Sequence, residues 1–159
     1  MASENKQQKA LEIYRLITGT MDAEGWKYKG DEAELTIESG ARGEDIPIDL
    51  NIHLDVDRQF VMLLSQMPFL TPEDKRLEMA VAVSAINYRL VDGSFDFDIK
   101  SGRMFFRMTV NYRDSRLSRD LVMYLLLVSC RTVDDYNDTL LLLSAGKLSL
   151  EDFLQSVNK

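Results

Sequence analysis

Residues Pro47 to Asp57 read PIDLNIHLDVD. Ile48, Leu50, Ile52, Leu54 and Val56 alternate without a break with Asp49, Asn51, His53, Asp55 and Asp57. A period of two puts the apolar set on one side of an extended chain and the polar set on the other. A helix cannot gather that pattern into a stripe, so the segment is expected to be a strand with one buried and one wet face. A chain built around such a strand needs a sheet, and it needs apolar cover for one side of it. Pro47 suits the strand's first residue, where no ladder donor is yet required.

Helical periodicity supplies the cover. Ala10, Tyr14, Ile17 and Met21 form one stripe, joined by Leu11 and Ile13, and predict an amphipathic helix over Glu4–Met21 that stops near Gly25. A second helix is expected after Thr71 as N-cap and Pro72 in the first turn, with Glu73 and Asp74 at the positive end of the dipole. Its apolar residues fall into two stripes, Met79, Val83, Ile86 and Leu90, then Leu77, Ala80, Val81 and Tyr88. So broad a surface predicts burial on more than one side. Ser118 caps a third helix of about 28 residues, roughly 42 Å, running to Ala145 before Gly146. The acidic DDYND segment, Asp134 to Asp138, interrupts its apolar stripe and is expected on an exposed face. Leu148–Val157 reads as a short last helix with Ser149 as cap and Asp152 three residues on.

The remaining segments are extended. Ala33, Leu35 and Ile37 alternate with Glu34, Thr36 and Glu38 as a half-buried strand, and GARGEDIP follows as a loop. Arg58–Ser65 is apolar on both parities, Phe60, Met62 and Leu64 against Val61 and Leu63, as in a central strand or one whose outer face is covered. Asp92-Gly93 ends the second helix. A hairpin then turns at Ser101-Gly102, with Phe95, Phe97, Ile99, Met104, Phe106, Met108, Val110 and Tyr112 expected toward the helices. The order is α-β-β-β-α-β-β-α with a small final helix. The fold class is therefore α+β, an antiparallel sheet of about five strands covered mainly on one face, in a single domain over residues 1–159.

Composition narrows the function classes. A net charge of −7 and a pI near 4.7 disfavour nucleic acid and anionic membrane as partners. A single cysteine, Cys130, excludes an intrachain disulfide, and its apolar surroundings mark it as a core hydrophobe. Neither a secretory leader nor a membrane span is legible, so a cytoplasmic location is expected. His53 is the only histidine, on a strand face with Asn51 and Asp55, and residues two apart on a strand project in parallel rows without converging. No phosphate loop, C-x-x-C or H-E-x-x-H is present, so no catalytic, cofactor or metal set is assigned. What remains is surface character: Val61, Leu63 and Phe105 are expected on the otherwise polar sheet face, as a partner or dimer contact. An exposed strand edge offers a second route, by β-augmentation.

Met67-Pro68-Phe69 ahead of Pro72, Asn87, Gly93-Ser94-Phe95, Asp98, Gly102, Phe106-Arg107, Leu117-Ser118 and Asp135-Tyr136 resemble the YbjN family in order and spacing. The resemblance runs from Leu11 to about Gly146, and the family bears the label of bacterial sensory transduction regulators. It implies a fold similar to that of type III secretion chaperones, which are small, acidic, usually dimeric proteins that hold unfolded segments. The expectation is thus a non-enzymatic protein-binding regulatory module, chaperone-like and homodimeric, with a protein or peptide partner. The alternative is a small-ligand sensor with a pocket between helices and sheet lined by Tyr14, Trp26 and Tyr88.

Overall fold

The computed structural model describes residues 2–157, with side chains from residue 4. Helix α1 (Ala2–Ala23) precedes four strands, β1 (Tyr28–Asp31), β2 (Thr36–Arg42), β3 (Pro47–Asp55) and β4 (Phe60–Gln66). A 3-10 turn, Glu73–Lys75, leads into α2 (Arg76–Arg89), followed by β5 (Ser94–Asp98), β6 (Arg103–Asn111), α3 (Arg119–Ser144) and α4 (Leu150–Val157). All pairings are antiparallel, in the order β1-β2-β3-β4-β6-β5. The class is α+β as expected, with six strands where the sequence suggested about five.

The additional strand explains the miscount. Ala33-Leu35-Ile37 mimics one alternating strand, but the chain turns within it. The Asp31 carboxylate accepts from the backbone N–H groups of Ala33 and Glu34 at 3.0 and 3.1 Å. That local turn competes with extension. Leu35 takes a left-handed φ of 54° and is nonetheless buried, its carbonyl accepting from Leu54. Downstream, Gly40, Ala41 and Arg42 pair with Asp49, Ile48 and Pro47, so half of the predicted loop is strand. The loop that remains, Gly43–Ile46, is tied to α3 by the Asp134 carboxylate, which accepts from Glu44 N–H at 2.9 Å.

The core lies between one sheet face and the helices. Ile48, Leu50, Ile52 and Leu54 of β3 are buried there with Ala10, Tyr14, Ile17 and Met21 of α1. Phe95 packs against Phe106 with tilted rings, centroids 5.1 Å apart, and meets Tyr136 of α3 edge to face at 5.8 Å. Ile99, expected inside, sits in the β5–β6 turn and is exposed. Ser118 accepts from Leu121 N–H as the expected N-cap of α3. Ser149 bonds both the N–H and the carboxylate of Asp152, starting α4, whose Phe153 is fully buried.

Two expectations for α2 fail. Thr71 does not cap it. Its N–H donates to Gly102 C=O and its own C=O accepts from Arg76, so the residue pins the β5–β6 turn and its hydroxyl is left buried without a partner. Gly102, at φ 77°, is needed there because a Cβ would strike the Thr71 carbonyl. The second apolar stripe is not buried either: Leu77, Val81 and Tyr88 face solvent, opposite the buried Met79, Ala82, Val83 and Ile86.

The outer edge of β5 is closed by a side chain. The Asn87 amide donates to Phe95 C=O at 2.9 Å and its carbonyl accepts from Phe95 N–H at 2.8 Å. The pair of bonds imitates a neighbouring strand and removes the most tempting point for strand addition. Asn87→Ala leaves both backbone groups without these partners and is expected to cost about 2 kcal/mol, read as a lower urea midpoint at unchanged m-value.

Candidate functional site

The face of the sheet away from the helices has no cover among the described residues, and its composition follows from β3. Residues paired across an antiparallel ladder share a face. Ile52 pairs with Leu63 and Leu54 with Val61, so Val61 and Leu63 point into the core and are each 2% exposed. Their expected place on the outer face is thereby corrected. A strand apolar on both parities carries no internal signal of which set is inner, and only its register with β3 decides.

The same register brings Phe60, Met62 and Leu64 outward, opposite Asp55, His53 and Asn51. On the other flank they oppose Asn111, Thr109 and Arg107 of β6. Phe105, expected on this face, is there, half-buried between Gln66 of β4 and Asp96 of β5. Sequence reading therefore placed Phe105 correctly on the outer face and inverted the strand that supplies the other apolar residues there. A shallow groove of about 560 Å³ runs over this surface, with Phe60 and Met62 flanked by His53, Asp55, Arg58, Arg107, Thr109 and Asn111. The row is apolar at its centre and polar on both sides, the arrangement of a contact patch with a wet rim.

Arg107 is held in place by Asp96 through two bonds, Nε to Oδ2 at 2.5 Å and Nη2 to Oδ1 at 3.1 Å. That carboxylate raises the guanidinium's pKa, so the charge at the groove's edge is fixed. The groove thus offers hydrophobic area and fixed polar neighbours.

Other sequence candidates have structural roles. Cys130 is half-buried, and burial, with the Asp134 charge, pushes its thiol up to about 11, leaving it protonated and a poor nucleophile at neutral pH. Asp134 and Asn137 of the acidic run are turned inward rather than exposed, and Asp134 anchors the β2–β3 loop. Among the described residues, no three His, Cys, Asp or Glu side chains gather as a metal-holding group. Tyr14, Trp26 and Tyr88 do not line one pocket, since Tyr88 points to solvent on the far side of α2. One cavity between sheet and helices, lined by Ile52, Val61, Leu63, Val122 and Leu126 among others, is about 10 Å³ and apolar, at the limit of room for one water. A cleft of about 440 Å³ opens between β6 and the first turns of α3, beside Arg107, Thr109, Leu121 and Tyr124.

Comparison with known proteins agrees with this architecture. The YbjN family, described as "Putative bacterial sensory transduction regulator", matches residues 14–142. Among solved structures, a chain of the ExsC–ExsE complex superposes with a TM-score of 0.59 at 13% identity, covering 81% of this chain and 93% of that one. YbjN of E. coli, described as a putative transcription regulator, gives 0.57 at 10% identity, covering 79% and 92%. A chain of the HopA1–SchA chaperone–effector complex gives 0.57 at 13%, covering 82% and 97%. At these identities the likeness is one of fold. Among curated proteins none matches the chain.

Asp138 has its pKa raised, first by desolvation and then by the Asp45 and Asp134 charges, so its ionised form is disfavoured in the fold. A raised carboxyl pKa means the penalty is full above the folded value and gone below the unfolded one. Asp138→Asn is expected to raise Tm slightly at pH 7, with the gain vanishing near pH 3, as read by thermal melts across pH.

Proposed function

The chain belongs to the YbjN family, and from that premise we propose a non-enzymatic regulatory module that binds a protein or peptide partner in a chaperone-like manner, as a cytoplasmic homodimer. The observation that carries the reading is the uncovered sheet face, where Phe60, Met62, Leu64 and Phe105 form an apolar row within a polar rim. An extended apolar segment of a partner lies along such a row, with its polar side chains meeting Asn51, His53, Thr109 and Asn111. The net charge of −7 favours partners that are basic or poorly soluble. Proteins with this fold occur in a chaperone–effector complex, which supports partner binding as the fold's kind of work. The small-ligand alternative has less support, because Tyr88 faces solvent on the far side of α2 and shares no pocket with Tyr14 and Trp26.

The test separates apolar docking from simple charge attraction. The wild-type chain is expected to suppress aggregation of a reduced, unfolded basic protein such as lysozyme. Met62→Glu with Phe105→Glu makes the chain more acidic, so electrostatic binding strengthens, whereas docking on the apolar row weakens by about tenfold or more. Suppression that is retained or improved in the double variant, with its melting temperature unchanged, overturns the assignment of this face.

A further inference from the structure

Strand β6 outruns its neighbour. Its residues Arg103–Arg107 pair with β5, and Gly93 then ends the ladder at φ 72°, packed so closely that a Cβ there would lie 2.8 Å from Arg107 C=O. Past that point β6 keeps β4 on one side and has no strand on the other. Two bonds fix where its backbone groups point. Tyr112 N–H donates to Gln59 C=O, and Met104 C=O accepts from Met67 N–H, so the even-numbered residues of β6 bond toward β4. Direction alternates along a strand, which turns the N–H and C=O of Thr109 and the N–H of Asn111 toward the bare edge. The Ser115 hydroxyl satisfies Asn111 C=O at 2.9 Å. The other three groups have no partner among the described residues. The edge opens on the cleft of about 440 Å³, whose other walls include Leu121, Tyr124 and Leu125 of α3 and Asp92 ahead of β5.

We propose that this edge takes a short extended segment of a protein partner as an added strand, antiparallel to β6, with an apolar residue flanked by basic ones. A backbone donor and acceptor presented together on one residue are matched by another extended backbone. So short a bare stretch favours the antiparallel sense, because both Thr109 bonds are then exchanged with a single residue of the segment. Residues opposite one another share a face, so the segment's residue opposite Val110 turns toward Leu121 and Leu125 and is apolar. The basic neighbours follow from charge. Arg107 is paired with Asp96, whereas Asp92 brings a carboxylate that meets only the neutral Tyr124 hydroxyl, in a chain of net charge −7. Thr109 also borders the groove over Phe60 and Met62, so the edge continues the outer row. The inference rests on the protein-binding part of the proposed function and adds a backbone contact to it.

The probe is a capped, fluorophore-labelled peptide of about eight alternating valine and lysine residues, titrated against the full chain. Thr109→Pro removes the unpartnered N–H and sets a ring where the added strand would lie. Proline is tolerated at a strand edge whose N–H has no ladder partner. Thr109→Val loses the same hydroxyl but keeps the N–H, and the two variants carry equal charge. Thr109→Pro is expected to bind the peptide about tenfold more weakly than Thr109→Val. In the wild type, amide exchange at Thr109 and Asn111, followed by NMR, should slow about tenfold or more at saturating peptide. If Thr109→Pro does not fold, as judged by its melting curve, the exchange measurement decides. Equal affinities in the two folded variants, or unchanged exchange at both amides, overturns the edge. So does a wild type that leaves the peptide unbound at about 1 mM. Each of these results leaves the outer-row reading standing while the wild type still suppresses aggregation of unfolded lysozyme, and absence of that suppression overturns the reading on which the edge rests.

Discussion

Strand β3 is hydrogen-bonded on both sides, and the residues it hides decide what every neighbouring strand hides. Ile52 carries Ile37 of β2 and Leu63 of β4 to the inner face, and Leu63 carries Met108 of β6. A slip of one residue would turn Asp49, Asn51 and His53 under the helices with no partners to satisfy them. The cost of that exchange holds the whole sheet in one register. The outer face is thus a by-product of the inner one: once Val61 and Leu63 are committed to the core, Phe60, Met62 and Leu64 have only the solvent side left.

Among the described residues, apolar side chains stay uncovered on the outer row of β4 and the outward stripe of α2, and on α3 at Tyr124, Leu127, Leu141 and Leu142. Other places where backbone or charge would be left wanting are closed by side chains instead. Asn87 completes the edge of β5, Asp31 folds the β1–β2 turn, and Asp134 ties the β2–β3 loop to α3. Against that background, the apolar rows on β4 and α2 are surfaces that the fold itself does not cover.

Legibility in the sequence followed the range of the interaction. Ser118 and Ser149 were readable as caps because their partners lie three residues away. Thr71 had the same local signature but was claimed by Gly102, far along the chain, and its hydroxyl caps nothing. The alternation through Ala33, Leu35 and Ile37 concealed a turn because Leu35 is buried from a left-handed conformation, which side-chain pattern does not record. Phe105 was found because it breaks an alternation that its own strand makes clear. Its neighbours in the patch were missed because β4 is apolar on both sides.

The sequence by itself determined the α+β class, the antiparallel pairing, the position of most helices and the one-sided nature of the sheet, since periodicity and capping act within a few residues. Tertiary structure alone decided which parity of β4 is hidden and that the second face of α2 is bare. Both are questions of what lies across from a side chain, and a linear pattern gives the same apolar signal whether the facing surface is the protein's own core, a partner, or water.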